Sequence, residues 1–289
     1  MSATAAVFFS ESVLSLTPIL IKKVPTTLNT QTLARFLIYP LAALLVGGAG
    51  PLKAAYSHGI AKNLGLGAIN VAHIASSYLA FKELPAGIAM SLFYTYPLWN
   101  LFGASIFFGE AFPWHLFPAV IVALLGAVLV AFSRTPEEKS NNKPLNIKGI
   151  TAALIAALTE TAIFLAVKAA GAATSPFTSV HQIYLGGLPL LAAYLFLQSD
   201  KPEEKIDTSI KNWIPLILFN GLLGFTGYCL RFWSIPRLST ILYSILSMFG
   251  VLAAFAWGHF LADEQIQGQG LLGAGILTAA IGYLRYVTH

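Results

Sequence analysis

A membrane-embedded all-α protein of about ten helices, laid out as two inverted five-helix repeats, is the fold class this sequence predicts. Three observations point to it. The chain is 56% hydrophobic and only 10% charged, with a mean hydropathy of +0.72, whereas a soluble domain carries about 25% charged residues. An ordinary water-facing surface cannot be built from such material. Apolar runs of about 20 residues recur from one end to the other, each long enough to cross roughly 30 Å of hydrocarbon as a helix. The stretch 84–110, LPAGIAMSLFYTYPLWNLFGASIFFGE, then returns in worn form at 238–264 as LSTILYSILSMFGVLAAFAWGHFLADE, which lays Glu110 on Glu264. The same offset lays Ser77 on Arg231, His73 on Gly227 and Asn70 on Gly224. A slightly smaller one lays Glu11 on Glu160 and Pro40 on Pro189.

Taken in order, the first span covers about residues 3–21 and closes at Lys22, Lys23 and Pro25. No basic segment precedes it and Glu11 interrupts it, so it is expected to be retained rather than cleaved as a signal. The second, 30–46, ends in a Gly-Gly-Ala-Gly run, and a loop with Lys53, His58 and Lys62 leads to the third, 64–81. Lys82 and Glu83 turn the chain into the fourth and fifth spans, 85–108 and 116–132. The tract 134–148, RTPEEKSNNKPLNIK, is the longest polar stretch and the natural seam. One repeat is therefore expected over residues 1–134, a linker over 135–148 and a second repeat over 149–289. Spans six and seven cover 149–169 and 177–197, a solvated linker covers 199–212, and the last three spans cover 213–233, 238–261 and 270–287.

An odd number of spans per half means that the second half enters the membrane from the opposite face. Inverted repeats of this kind place a substrate at the bilayer midplane between the halves and expose it alternately to each side. The chain is too short to hold a soluble catalytic domain besides its spans, so a secondary transporter is expected, in a plasma or inner membrane, with an organelle membrane as the alternative. The formal charge of +5 does not imply nucleic acid, because the bases sit at span ends facing headgroups and water. Lys22, Lys23, Lys82, Arg134, Lys139, Lys143, Lys148, Lys201, Lys205 and Lys211 fall on one side. By the positive-inside rule that side is cytoplasmic and the termini lie outside. The single Cys229 excludes an internal disulfide, and the histidines show no metal-ligand spacing, so no metal and no cofactor is expected. The string Gly268–Gly273 mimics a dinucleotide fingerprint but opens a membrane helix instead of following a strand.

Ionisable groups inside hydrocarbon are costly and mark function. Glu11 and Glu160, equivalent under the repeat, are candidate proton carriers, with protons as the coupling ion; a pairing of Glu160 with Lys168, on the same helix face, is the structural alternative. Asn70, His73 and Ser77 share one stripe of span three, and Asn220, Gly224, Gly227 and Arg231 one stripe of span eight, so each suits a cavity wall. Arg35 in span two and His181 with Gln182 in span seven lie about a turn inside the membrane, where a guanidinium can hold a substrate carboxylate or reach out to headgroups. Tyr94, Tyr96, Trp99 and Asn100 in span four, with Tyr243 and Ser244 in span nine, offer a polar aromatic wall for an organic solute.

Ten short spans in two halves, with span four followed by Gly109-Glu110 and span nine by Asp263-Glu264, resemble the drug/metabolite transporter superfamily, and within it the EamA-like permeases. The resemblance implies a ten-helix inverted-repeat carrier with cytoplasmic termini, the opposite of the charge count. Relatives include amino-acid and metabolite exporters, and more distantly nucleotide-sugar and triose-phosphate exchangers. Span nine lacks a lysine, and Arg285 has no adjacent lysine, which lowers the phosphorylated-substrate reading. Alternating-access export of a small polar organic metabolite, an amino acid or related compound, is the expected function. A nucleotide-sugar or sugar-phosphate exchanger is the alternative within transport, and an intramembrane enzyme or a channel the alternative outside it.

Overall fold

The computed structural model of the chain describes residues 1–57, 59–84, 86–111, 114–131, 146–197, 204–263, 265 and 268–287. Glu264, His58, His289, most of the expected linker at 132–145 and residues 198–203 lie outside these, as does the side chain of Arg285. Among the described residues all regular structure is helical, and seven helical stretches are long and apolar enough to cross a membrane. The first half contributes α1 (Ala3–Leu14), α2 (Thr17–Lys23), α3 (Leu28–Gly47), α4 (Gly50–Ser57), α5 (Ile60–Glu83), α6 (Ala86–Phe93), α7 (Tyr96–Phe108) and α8 (Phe117–Ala131). The second contributes α9 (Ile147–Ala170), α10 (Pro176–Leu197), α11 (Ile210–Leu218), α12 (Phe225–Ser234), α13 (Thr240–Ser247), α14 (Phe249–Ala262) and α15 (Gly268–Val287).

Helix starts are written locally. Ser2, Thr27, Asn146 and Ser239 each accept a backbone N–H of the first turn with the side-chain oxygen, at 3.0–3.3 Å, and so satisfy a donor that has no partner within the helix. Two ends explain the motif at the close of spans four and nine. Gly109 (φ 64°) and Asp263 (φ 55°) both hold the left-handed cap conformation, which glycine adopts freely and aspartate tolerates.

Four of the expected spans are interrupted, which the apolar pattern did not predict. Span one breaks between α1 and α2 ahead of Pro18. The Ser12 carbonyl freed there accepts from Trp257 Nε1 at 2.8 Å. Span four breaks between α6 and α7 ahead of Pro97, whose ring nitrogen cannot donate back along the helix. Span nine breaks at Met248, the position that the repeat offset matches to Tyr94. Span eight passes through a π-helical segment, Phe219–Gly224, before α12 and a 3₁₀ turn, Ile235–Arg237. Residues 50–57, expected as loop, form the short helix α4.

The helix α9 runs along α5 and touches α6 and α7, while α1 runs along α12 and touches α13 and α14. Next to these, α10 packs on α3 and α5, and α8 on α15. Leu45, Ile106, Phe196 and Phe260 are more than 70% exposed on the outside, as a lipid-facing belt requires. The interior is the polar part: Tyr39, Tyr78, Tyr94, Tyr96, Tyr184 and Tyr243 are fully buried there together with Glu11, Asn100 and Glu160. On one rim the segment 204–209 is strapped across the start of α3. Asn29 Nδ2 donates to the Glu204 carbonyl and the Asp207 N–H to Thr30 Oγ1.

Candidate functional site

Among the described residues six Glu, His and Arg side chains are buried, Glu11, Arg35, His73, Glu160, His181 and Arg231, and all but His181 fall into two neighbouring clusters. Arg231, on α12, is 2% exposed and does not reach for headgroups. Its Nη2 lies 3.4 Å from Glu11 Oε1 on α1 and 3.1 Å from Glu160 Oε1 on α9. The same nitrogen donates to Tyr96 Oη at 2.6 Å, and Nε to Tyr243 Oη at 3.0 Å. Glu160 carries the chain further: its Oε2 lies 3.3 Å from His73 Nε2. His73 Nδ1 faces the Ala156 carbonyl at 3.2 Å and the Thr159 hydroxyl at 3.4 Å. At the other end, the Tyr94 hydroxyl donates to Glu11 Oε2 at 2.5 Å. The break after α6 sets this contact up, because Tyr94 and Tyr96 flank it and so reach Glu11 and Arg231 respectively.

Arg35 is in a second cluster beside the first. Nε donates to Tyr184 Oη at 2.8 Å and Nη1 to Tyr78 Oη at 3.4 Å. The guanidinium carbon stands 4.5 Å from the Tyr228 ring centre, 4.9 Å from Tyr39 and 5.8 Å from Tyr78 and Tyr184. Such cation–π contacts are worth about 0.5–2 kcal/mol each. Its Nη2 has no hydrogen-bond partner among the described residues. Two buried acids thus share Arg231, whereas Arg35 is held by tyrosines and has no carboxylate partner among the described residues.

A small cavity of about 30 Å³ lies between the clusters, lined by Arg35, His73, Ser77, Tyr94, Tyr228 and Arg231 among others. That is room for about two waters. A larger crevice of about 710 Å³ opens on the Lys148 face between α3, α5, α9 and α10, within the usual range for a small-molecule site. The helix α5 separates the two: it shows Ala72, Ala75, Ser76 and Leu79 to the crevice and His73, Ser77 and Phe81 to the cavity.

The structure therefore brings Glu11, His73, Tyr94, Glu160, Arg231 and Tyr243 into one contact chain, with Arg35 and Ser77 beside it. Asn70 and Asn100 are buried, and Asn70 Nδ2 and both amide atoms of Asn100 have no hydrogen-bond partner among the described residues. Asn220, in the π-helical segment, turns its Nδ2 back to the Leu216 carbonyl. His181 is not in the chain; its Nδ1 meets the Pro40 carbonyl at 3.1 Å. Lys168 does not pair with Glu160 as the alternative reading had it. It meets Glu110 at 3.1 Å near the membrane edge, because Glu160 is already taken by Arg231 and His73. The cage residues Tyr39, Tyr78, Tyr184 and Tyr228 went unrecognised in the sequence. The available signal was helical spacing: Tyr39 follows Arg35 by four residues, and Tyr228 precedes Arg231 by three.

Among the described residues no group of three His, Cys, Asp or Glu side chains is placed to hold a metal. Residues 147–286 match the model of the EamA-like transporter family. Among solved structures 28 chains are similar. One of them, a crystal structure of a protein, has a TM-score of 0.72 at 18% identity, covering 100% of this chain and 99% of that one. At that identity the likeness is one of fold. No curated protein matches the sequence.

Proposed function

Taking as premise that the chain, through residues 147–286, is a member of the EamA-like transporter family, we propose that it is a proton-coupled secondary carrier exporting a small polar organic metabolite, an amino acid or a related compound. Members of this family are membrane transporters rather than enzymes, and this chain is an integral, multi-pass membrane protein whose substrate is a small molecule. The proposed architecture is two inverted five-helix repeats, residues 1–134 and 149–289, joined by a linker at 135–148. Packing supports it, because contacts come in exchanged pairs: span six on span three answers span one on span eight, and span six on span four answers span one on span nine. The matched breaks at Tyr94 and Met248 and the matched left-handed caps at Gly109 and Asp263 support it too.

One observation carries the mechanism: Glu11 and Glu160, equivalent under the repeat, meet the same buried guanidinium. Two carboxylates on one Arg231 leave a charge that a proton can neutralise, so the site is suited to exchanging a proton as the halves rock. Solute enters through the crevice on the Lys148 face, past the partition made by α5. Substrate contacts are assigned to Arg35, Asn70, His73, Ser77, Tyr94, Asn100, Asn220, Arg231 and Tyr243, with His181 at the α3–α10 crossing. In proteoliposomes, a pH gradient is expected to drive accumulation of labelled amino acids, and Glu11→Gln to abolish that drive. An unchanged pH dependence in Glu11→Gln removes Glu11 from the coupling.

A further inference from the structure

A buried charge needs a partner of opposite sign or a full set of hydrogen bonds. Arg231 has two carboxylates. Arg35, 3% exposed, has none among the described residues. The groups shown in contact with its guanidinium are tyrosines, which supply two hydroxyl acceptors and the π faces of four rings, while His73 and Ser77 share the cavity that it lines. Aromatic faces soften the charge without cancelling it. One arm of the fork, Nη2, is left with donors and no acceptor. The residue lines the small central cavity, whose volume suits a carboxylate group with little else, while an entire solute needs the widening that alternating access provides.

We propose that Arg35 and its tyrosine cage form an anion site that receives the carboxylate of the transported solute, which makes the substrate a carboxylate-bearing metabolite. The inference rests on the carrier reading above and narrows its substrate class. The two clusters then divide the work: the Glu11–Arg231–Glu160 group exchanges the proton, and Arg35, the one buried guanidinium with an uncommitted nitrogen among the described residues, takes the anion. A planar guanidinium matches a carboxylate through paired N–H donors. The tyrosines Tyr78 and Tyr184 fix its orientation beforehand and present no competing charge.

The test uses the full-length protein in nanodiscs, with sodium formate as a carboxylate small enough for the cavity. Formate is exchanged for chloride at constant ionic strength while the thermal midpoint is followed. A saturable rise over chloride is expected, roughly 2–4 °C near saturation, absent in Arg35→Gln and weakened in Arg35→Lys, which keeps the charge and loses the fork. No difference between formate and chloride in the wild type overturns the proposal, and so does an equal rise in Arg35→Gln. Where the Gln variant fails to fold, the Lys variant decides: an undiminished response overturns the proposal. In proteoliposomes, amino acids are compared with their carboxamides; equal transport of the amides overturns the assignment to the solute's carboxylate. Loss of proton-driven flux with the formate response intact would sink the carrier reading and leave the anion site standing. The reverse pattern would sink the anion site alone.

Discussion

Replacing Arg231 by Met removes the one cation that Glu11 and Glu160 share, at a position 2% exposed. Met keeps the length and apolar volume of the stem, so the loss is chiefly electrostatic. Breaking a buried ion pair from one side costs about 3–5 kcal/mol, because the other charge stays behind without compensation. At about 2–4 °C per kcal/mol for a chain of this class, the thermal midpoint is expected to fall by roughly 6–20 °C. The comparison is Lys148→Gln. The Lys148–Glu83 pair has nearly the same spacing, 3.1 Å, but side chains 65% and 26% exposed, and an exposed pair is worth under about 1 kcal/mol. Adding Glu160→Gln to Arg231→Met removes one of the stranded charges, so part of the loss should return, with a coupling of about 0.5–3 kcal/mol. The assay is thermal unfolding of five proteins in one nanodisc preparation: wild type, Arg231→Met, Glu160→Gln, the double variant and Lys148→Gln. A drop in Arg231→Met no larger than in Lys148→Gln, or losses that simply add in the double variant, would refute the claim that the two acids depend on one guanidinium.

Three further outcomes are expected. Gly67→Ala places a methyl on the backbone of Gly186 and Gly187, where α5 crosses α10; overpacking there costs about 1–3 kcal/mol, whereas Gly221→Ala, with only Ile38 at 3.6 Å, should leave the thermal midpoint nearly unchanged. Gly250→Ala drives a methyl into the Tyr94 hydroxyl and so displaces the Glu11 hydrogen bond, which should cut proton-driven flux about 10-fold or more (~1.4 kcal/mol) while the protein still folds. The Asp207 carboxyl, accepting from Asn212 Nδ2 at 2.6 Å and the Ser209 N–H at 2.8 Å, is held below its ordinary range by those hydrogen bonds. With the folded value below the unfolded one of about 3.9, its stabilisation is complete above that pH and is lost as pH falls through the lower folded value. Amide exchange over residues 204–213, corrected for intrinsic rates, should accelerate in that acid window in the wild type and lack the acid-dependent step in Asp207→Asn.

The helical, membrane-spanning class was legible, since apolar length is a property of residue type along the chain. Glu11, His73, Glu160 and Arg231 were legible for a related reason: an ionisable group amid hydrocarbon stands out in any sequence. Their partners were less so. Which base meets Glu160 depends on whether α9 turns that face toward α12 or along itself, and the helical spacing that suggested Lys168 says nothing about the neighbouring helix. The tyrosine cage escaped because tyrosine is at home both at a membrane interface and in a core. Only the meeting of α3, α5, α10 and α12 distinguishes Tyr39, Tyr78, Tyr184 and Tyr228 from interfacial residues. The helix breaks at Leu14–Thr17 and Met248 were hidden too. The first needs the Trp257 donor from another span to be tolerable, and the second has no proline at the break at all.

Those breaks bear on how the proposed carrier would move. Tyr94 ends α6 at one break and its hydroxyl occupies the space that a side chain at Gly250, two residues past the other break, would fill. Two discontinuities that the proposed repeat would make equivalent therefore touch each other in the centre, and the residue that joins them also donates to Glu11. A helix pair that rocks about such points cannot separate its inner halves without withdrawing Tyr94 from Gly250, and that withdrawal takes the donor from Glu11 as well. Opening would then break the Tyr94–Glu11 hydrogen bond and admit water to the carboxyl in one movement, and closing would restore the one and expel the other. Coupling of this kind requires no signal to travel across the protein, because gate and proton site are one contact. It also makes Gly250→Ala more informative than a change at Glu11 itself: the carboxyl is still present, and only its link to the motion is cut.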